Sequence, residues 1–160
     1  MLEPTSQTKL NKSLLTIRII YFANILSLVI YLFIPNILHH FSFEGLVKFK
    51  EIDWLKNILY LISALTVVVI LIVKRFLDNP GKIPLTPESK IDEIIRPLIS
   101  GNILIFALCE TIALYGLVLF LIGSLLGEFY FLIGLSFVLF LICFPKQEKW
   151  EKIVSQFLVA

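Results

Sequence analysis

Of the twelve acidic residues in this 160-residue chain, eleven fall in the tails, between the apolar runs or at the ends of those runs; the exception is Glu110, at the centre of the apolar stretch 98–122. A charged residue at the middle of a bilayer-spanning helix costs about 2.5–3.5 kcal/mol on insertion scales, and acids held at such depth mark ion pathways and proton relays or pair with a neighbouring helix. Burial disfavours the ionised form, so Glu110 is expected to be largely neutral at pH 7 unless a cation or a hydrogen-bond donor holds its charge. Two readings stand side by side: an H+ or Na+ site, and a protonated acid that bonds a neighbouring helix as packing glue.

Partners for such an acid must lie at its depth. Reckoned along each apolar run, Thr66 and Ser136 fall level with Glu110, and their hydroxyls can donate to a carboxylate or accept from a carboxylic acid. Both are expected as ion-binding companions. Asn24 lies about 10 Å nearer one end at 1.5 Å per residue and is a weaker candidate. Ala107 and Ala113, three residues to either side of Glu110, put small side chains on its helix face, where a neighbouring helix can press close.

The elements that hold these residues follow from composition. The chain is 58% hydrophobic and only 16% charged, with a mean hydropathy of +0.93. Soluble domains are about 45–50% apolar and about 25% charged, so a soluble globular fold is excluded. Disorder is excluded by the same apolar content, with Phe alone occurring 14 times. Four runs are long enough, or nearly so, to cross a hydrocarbon core: 19–38, 55–73, 98–122 and 129–144. They are continuous rather than alternating, so they read as helices and not as strands of a barrel. The expectation is an all-α polytopic membrane protein, one domain over 1–160, with four transmembrane helices in two hairpins.

Basic residues set the expected orientation. Lys9, Lys12 and Arg18 precede the first run; Lys74, Arg75, Lys82, Lys90 and Arg96 lie between the second and third; Lys146, Lys149 and Lys152 follow the fourth. The opposite side has only Lys48, Lys50 and Lys56. By the positive-inside rule both termini are cytoplasmic, and the expected location is a bacterial or archaeal cytoplasmic membrane. The first run exceeds the usual signal-peptide core and lacks a small-x-small cleavage site, so it reads as an uncleaved anchor. A net charge of +2 with scattered Lys and Arg gives no nucleic-acid partner. The lipid bilayer is the implied partner, with a homo-oligomer or the subunits of a membrane complex besides.

The connecting segments carry their own signals. Loop 39–54 mixes Phe41, Phe43, Phe49 and Trp54 with charged residues and should lie on the membrane surface. Thr86 before Pro87 reads as an N-cap opening a short helix through Ile91, Ile94 and Ile95 until Pro97 interrupts it. After the fourth run, residues 146–158 read as a short amphipathic helix at the cytoplasmic surface, with Trp150, Ile153, Val154 and Phe157 on its apolar face. Gly123, Gly127 and Gly134, together with Gly101 and Gly116, concentrate in the second hairpin, where small residues let helix backbones approach. The first hairpin has no glycine in its spans, so the halves do not read as copies.

The stretch from Arg96 to Leu121 resembles the ion-binding helix of rotary ATPase proteolipids, the c subunits of the V- and F-type machines. The shared part is Glu110, a short segment of Thr and small or apolar residues, then Leu-Tyr-Gly-Leu-Val at 114–118. The resemblance implies that Glu110 binds and releases the transported H+ or Na+, with Tyr115 and Gly116 as its motif companions. V-type proteolipids share this length and four spans; their essential Glu is in the last span, whereas Glu110 is in the third.

Other chemistry finds less support. Cys109 and Cys143 are expected as two free, buried thiols at depths too different for a disulfide, and no CxxC pair exists. His39 and His40 are adjacent, with no third His to complete a zinc or haem set, so no metal and no cofactor is expected. Ser27, Ser63 and Ser136 have no His at matching depth for nucleophilic catalysis, and Tyr21, Tyr31, Tyr60 and Tyr130 read as belt or packing residues. No enzyme is expected. The leading reading is ion handling through Glu110, and the alternative is a non-catalytic structural or assembly subunit of a membrane complex.

Overall fold

A computed structural model describes residues 4–40, 52–79 and 91–158, and the side chains of most of them. The described residues form five helices: α1 (Pro4–His40), α2 (Ile52–Leu77), α3 (Ile91–Gly123), α4 (Leu126–Ile142) and α5 (Gln147–Leu158). The loop 41–51, the Thr86–Pro87 cap and the side chains of His39, His40 and Phe157 lie outside the described residues. Residues 7–38 of α1, all of α2 and 93–123 of α3 are each long and apolar enough to cross a membrane. The shorter α4 joins α5 at a 47° bend, and the pair makes a fourth span if the two are taken as one.

The helices pack around α3, which touches each of the other four. Its buried side is broad: Ile94, Leu98, Ile105, Cys109, Ile112 and Leu119 run down its middle, with Ile95, Phe106, Ala113 and Phe120 beside them. The other helices bury one stripe each. On α1 this is Leu10, Leu14, Ile17, Tyr21 and Leu28; on α2 it is Leu59, Ser63, Thr66, Ile70 and Leu77. These steps of three, four and seven put one helix face inward and leave the rest apolar and outward, including Ile19 at 61% and Ile72 at 62% exposure. Apolar side chains all round helices whose apolar windows are only 17% (α1) and 22% (α2) buried suit a lipid surround rather than water.

Pro97 does not interrupt a helix as expected; α3 runs through it without a break. It lies in the second turn, and the carbonyl it frees belongs to the exposed Glu93, so the lost bond falls near the helix end. The chain does break around Pro145, between α4 and α5. Cys143 caps α4 with its N–H on Leu139 O at 2.9 Å, and Pro145 disfavours helical geometry in the residue before it. Beyond the bend α5 turns Trp150, Ile153 and Val154 into the core against α1 and α3. That apolar face is therefore taken up by the protein's own helices.

The α3–α4 link is only Ser124 and Leu125, with Ser124 at φ 57 in the left-handed region. Its N–H still reaches Phe120 O at 2.7 Å, closing α3. So short a turn sets the register of the hairpin and corrects the expected depth of the cysteines. Cys109 is fifteen residues before Ser124 and Cys143 eighteen after Leu125, which leaves about 4.5 Å between their levels. Both thiols are free and buried, and they lie close enough to interact.

Only some of the glycines act in packing. A Cβ at Gly116 would come within 3.1 Å of Leu132 Cβ and 3.2 Å of Phe129 O, so α4 approaches α3 over this residue. Gly123 and Gly101 face Ile52 and Leu77 at the two ends of α2 in the same way. Gly127 and Gly134, expected in the same role, have nothing within 4 Å and are exposed. The buried stripe of α4 is Phe129, Leu132, Ile133, Ser136, Leu139 and Phe140, and Gly134 falls off it. Gly116→Leu should lower unfolding stability in detergent micelles by about 1–3 kcal/mol through overpacking. Gly134→Leu should change it by no more than about 0.5 kcal/mol.

Candidate functional site

Glu110 stands on the side of α3 that faces α1. Its Oε1 accepts hydrogen bonds from Ser27 Oγ and Tyr31 OH, each at 2.7 Å. These donors are four residues apart, one turn of α1, so a single helix face presents both. Just toward the N-terminal end of α1, Tyr21 meets Phe106 at 5.5 Å, Phe140 at 5.8 Å and Phe144 at 5.1 Å between ring centroids. The aromatic cluster seats α1 against α3 and α4, and the hydroxyl pair fastens it again higher up. Among the described residues Glu110 makes no ion pair.

The residues expected as its partners are bonded elsewhere. Ser136 Oγ donates to the Cys109 carbonyl at 2.6 Å, and Thr66 Oγ1 donates to Ile62 O on its own helix at 2.8 Å. Both are buried, as depth alone suggested, but on other faces of α3. Cys109, Ile112, Ala113 and Gly116 turn toward the core and α4, while Glu110, one residue and 100° on from Cys109, turns to α1. Ala113 is fully buried and Ala107 is exposed, so the two alanines do not form one packing face around the acid. Of the motif companions, Gly116 is the contact with α4 and Tyr115 is half-buried beside the core. Asn24 enters through its backbone.

Sequence reasoning passed over Ser27 and Tyr31 as Glu110's partners, although a signal was present. The midpoint of the apolar run 19–38 falls between them, as the midpoint of 98–122 falls on Glu110. Two hydroxyls at i and i+4 around the middle of one run match an acid at the middle of another.

The proton count is the chemical content of the site. Ser27 Oγ lies 2.7 Å from Glu110 Oε1 and also 2.7 Å from the Asn24 carbonyl, but a serine has one hydrogen to give. With Glu110 ionised, Ser27 and Tyr31 both donate to the carboxylate. With Glu110 protonated, the acid donates to Ser27 Oγ and the serine turns its hydrogen to the Asn24 carbonyl. The same heavy-atom positions satisfy both states, so a proton can arrive or leave with only a hydroxyl rotation.

A second acid, Glu128, is at the hairpin end of α4. It accepts from Tyr60 OH, and Lys56 Nζ is 3.6 Å away, so this carboxylate has a cation beside it. The contrast isolates Glu110 as the acid served by hydroxyls alone. Among the described residues no group of three His, Cys, Asp or Glu side chains could hold a metal ion.

Comparison with protein-family models, with curated proteins and with solved structures found no match to this chain. Tyr31→Phe and Ser27→Ala should each lower stability by about 0.5–1.5 kcal/mol. Double-mutant cycles of each with Glu110→Ala should give a coupling of about 0.5–3 kcal/mol, measured by unfolding in mixed micelles. Zero coupling would mean that the bonds to Glu110 carry nothing.

Proposed function

We propose that the protein spans a membrane four times, with both termini on the cytoplasmic side, and that Glu110 takes up and releases an ion there, with H+ preferred to Na+. The observation that carries this reading is the carboxylate midway along α3 whose described partners are two hydroxyls and no cation. A half-buried carboxylate midway along an apolar membrane helix, without a counter-charge, must bind a proton or a metal cation or remain costly. Both hydroxyls sit at direct hydrogen-bond distance on one oxygen, which leaves no gap between ligands for a sodium ion. A proton needs no gap. The placement in the membrane rests on three to four apolar helices and on the gathering of Lys and Arg at one end, including Lys74, Arg75, Lys146 and Lys149.

The reading is proteolipid-like in a chemical sense: one acid on one helix exchanges an ion against a neighbouring helix. Here that neighbour is the chain's own α1. The structural reading, an assembly subunit without transport, draws on the same bonds, because they also tie α1 to α3.

Reconstitution separates the two. In vesicles carrying a pH-sensitive dye and a potassium diffusion potential, the wild type should admit protons well above the lipid leak, and Glu110→Gln should fall to that leak. A hydrophobic carbodiimide should label the wild type at Glu110, with Na+ giving no protection. Wild-type flux no greater than the leak, with an intact partner co-purifying with both wild type and Glu110→Gln, would replace the ion reading by the structural one. Protection by Na+ would change the ion.

A further inference from the structure

We propose that the pocket at the α4–α5 bend binds the phosphate-bearing headgroup of an anionic phospholipid. The pocket encloses about 130 Å³ between the end of α2, the first half of α3 and the bend. Three lysines reach it, Lys74, Lys146 and Lys149, against one acid, Asp78. Lys149 pairs with Asp78 at 2.7 Å, and Lys74 donates to the Ile142 carbonyl left open at the end of α4. Among the described residues Lys146 makes no ion pair, so the lining keeps a surplus of two positive charges. Deeper in, Asn102 is 8% exposed and spends its amide on Leu98 O, while Trp150 closes the α5 side.

The apolar part of the lining distinguishes a lipid from a free anion. Leu98, Ile105 and Ile153 form a wall, and Ile142 and Phe144 carry that wall out to the exposed apolar surface at 51% and 37% exposure. The volume suits a headgroup phosphate with a few waters and not an acyl chain. Acyl chains would leave over Ile142 and Phe144 along the outward faces of α2 and α4. Basic pockets between membrane helices at the cytoplasmic side are where anionic headgroups settle. The inference rests on the membrane placement proposed above and not on ion exchange at Glu110.

Trp150 lines the pocket and provides the readout, since Trp54 is the only other tryptophan. In a Trp54→Phe background, phosphatidylglycerol with brominated chains should quench Trp150 at lower mole fractions than brominated phosphatidylcholine. Lys146→Gln should weaken that preference about fivefold, from about 1 kcal/mol per lysine near a charged surface, and Lys146→Arg should keep it. Lys152→Gln, the same charge change at the same end but outside the pocket, should leave it intact, as should Glu110→Gln. Equal quenching by the two lipids, or equal loss in Lys146→Gln and Lys152→Gln, would overturn the site. Displacement of phosphatidylglycerol by millimolar inorganic phosphate would overturn the lipid assignment in favour of a soluble phosphate ligand. Native mass spectrometry of the unsubstituted protein should show a retained phosphatidylglycerol adduct, which gives a readout independent of any variant's folding.

Discussion

A carboxyl group carried halfway along an apolar helix has to be met by its own protein, because neither lipid nor a packed core solvates it. In this chain the meeting is made by two hydroxyls on one turn of α1. Their placement requires α1 to lie against α3 at one rotation and one height. The Tyr21 ring, wedged among Phe106, Phe140 and Phe144, fixes both. Losing that seat would misplace the hydroxyls without touching the acid.

The same helix must also hold α2 and α4, and it does so by different means on each face. Toward α4 it offers Gly116 and the Cys109 carbonyl, so backbone approaches backbone and Ser136 stitches the pair. Toward α2 it offers Gly101 and Gly123 to the leucine and isoleucine ends of that helix. In an apolar surround these small residues gain van der Waals contact where burial from water gives no drive. Long polar side chains then join α2 to α4 at both ends, Tyr60 and Lys56 with Glu128, and Lys74 with the Ile142 carbonyl. Toward α1, α3 turns the carboxylate of Glu110.

The helices themselves were legible because long apolar runs have few alternatives, and Glu110 stood out because nothing else charged shares its surroundings. Its partners were not legible from depth. Depth ranks residues along an axis, whereas contact also needs the angle round the helix, and one residue of offset separates the face of Cys109 from that of Glu110. Ser136 is level with the acid and bonds the residue before it. Pro97 and Pro145 show a related limit. Pro97 read as a break, yet the bond it removes falls near the start of α3 and the helix runs on, whereas Pro145, given no such reading, stands in the link that ends α4. The amphipathic α5 was legible as a face and not as a destination, since a stripe of Trp150, Ile153 and Val154 suits either a lipid surface or a groove between helices. Gly134 was misread because its spacing from other glycines says nothing about which way α4 is turned.

The two-residue turn at Ser124 makes α3 and α4 neighbours in sequence as well as in space, whereas Ser27 and Tyr31 stand 83 and 79 residues ahead of the acid they serve. Local pairs close at little entropic expense and distant ones later, so the hairpin is the stiff half of the molecule and α1 is the half that docks on it. Native proteins open first along their most weakly held boundary. The α1–α3 seam holds Glu110 half-buried, so any loosening of α1 would also change what reaches the acid.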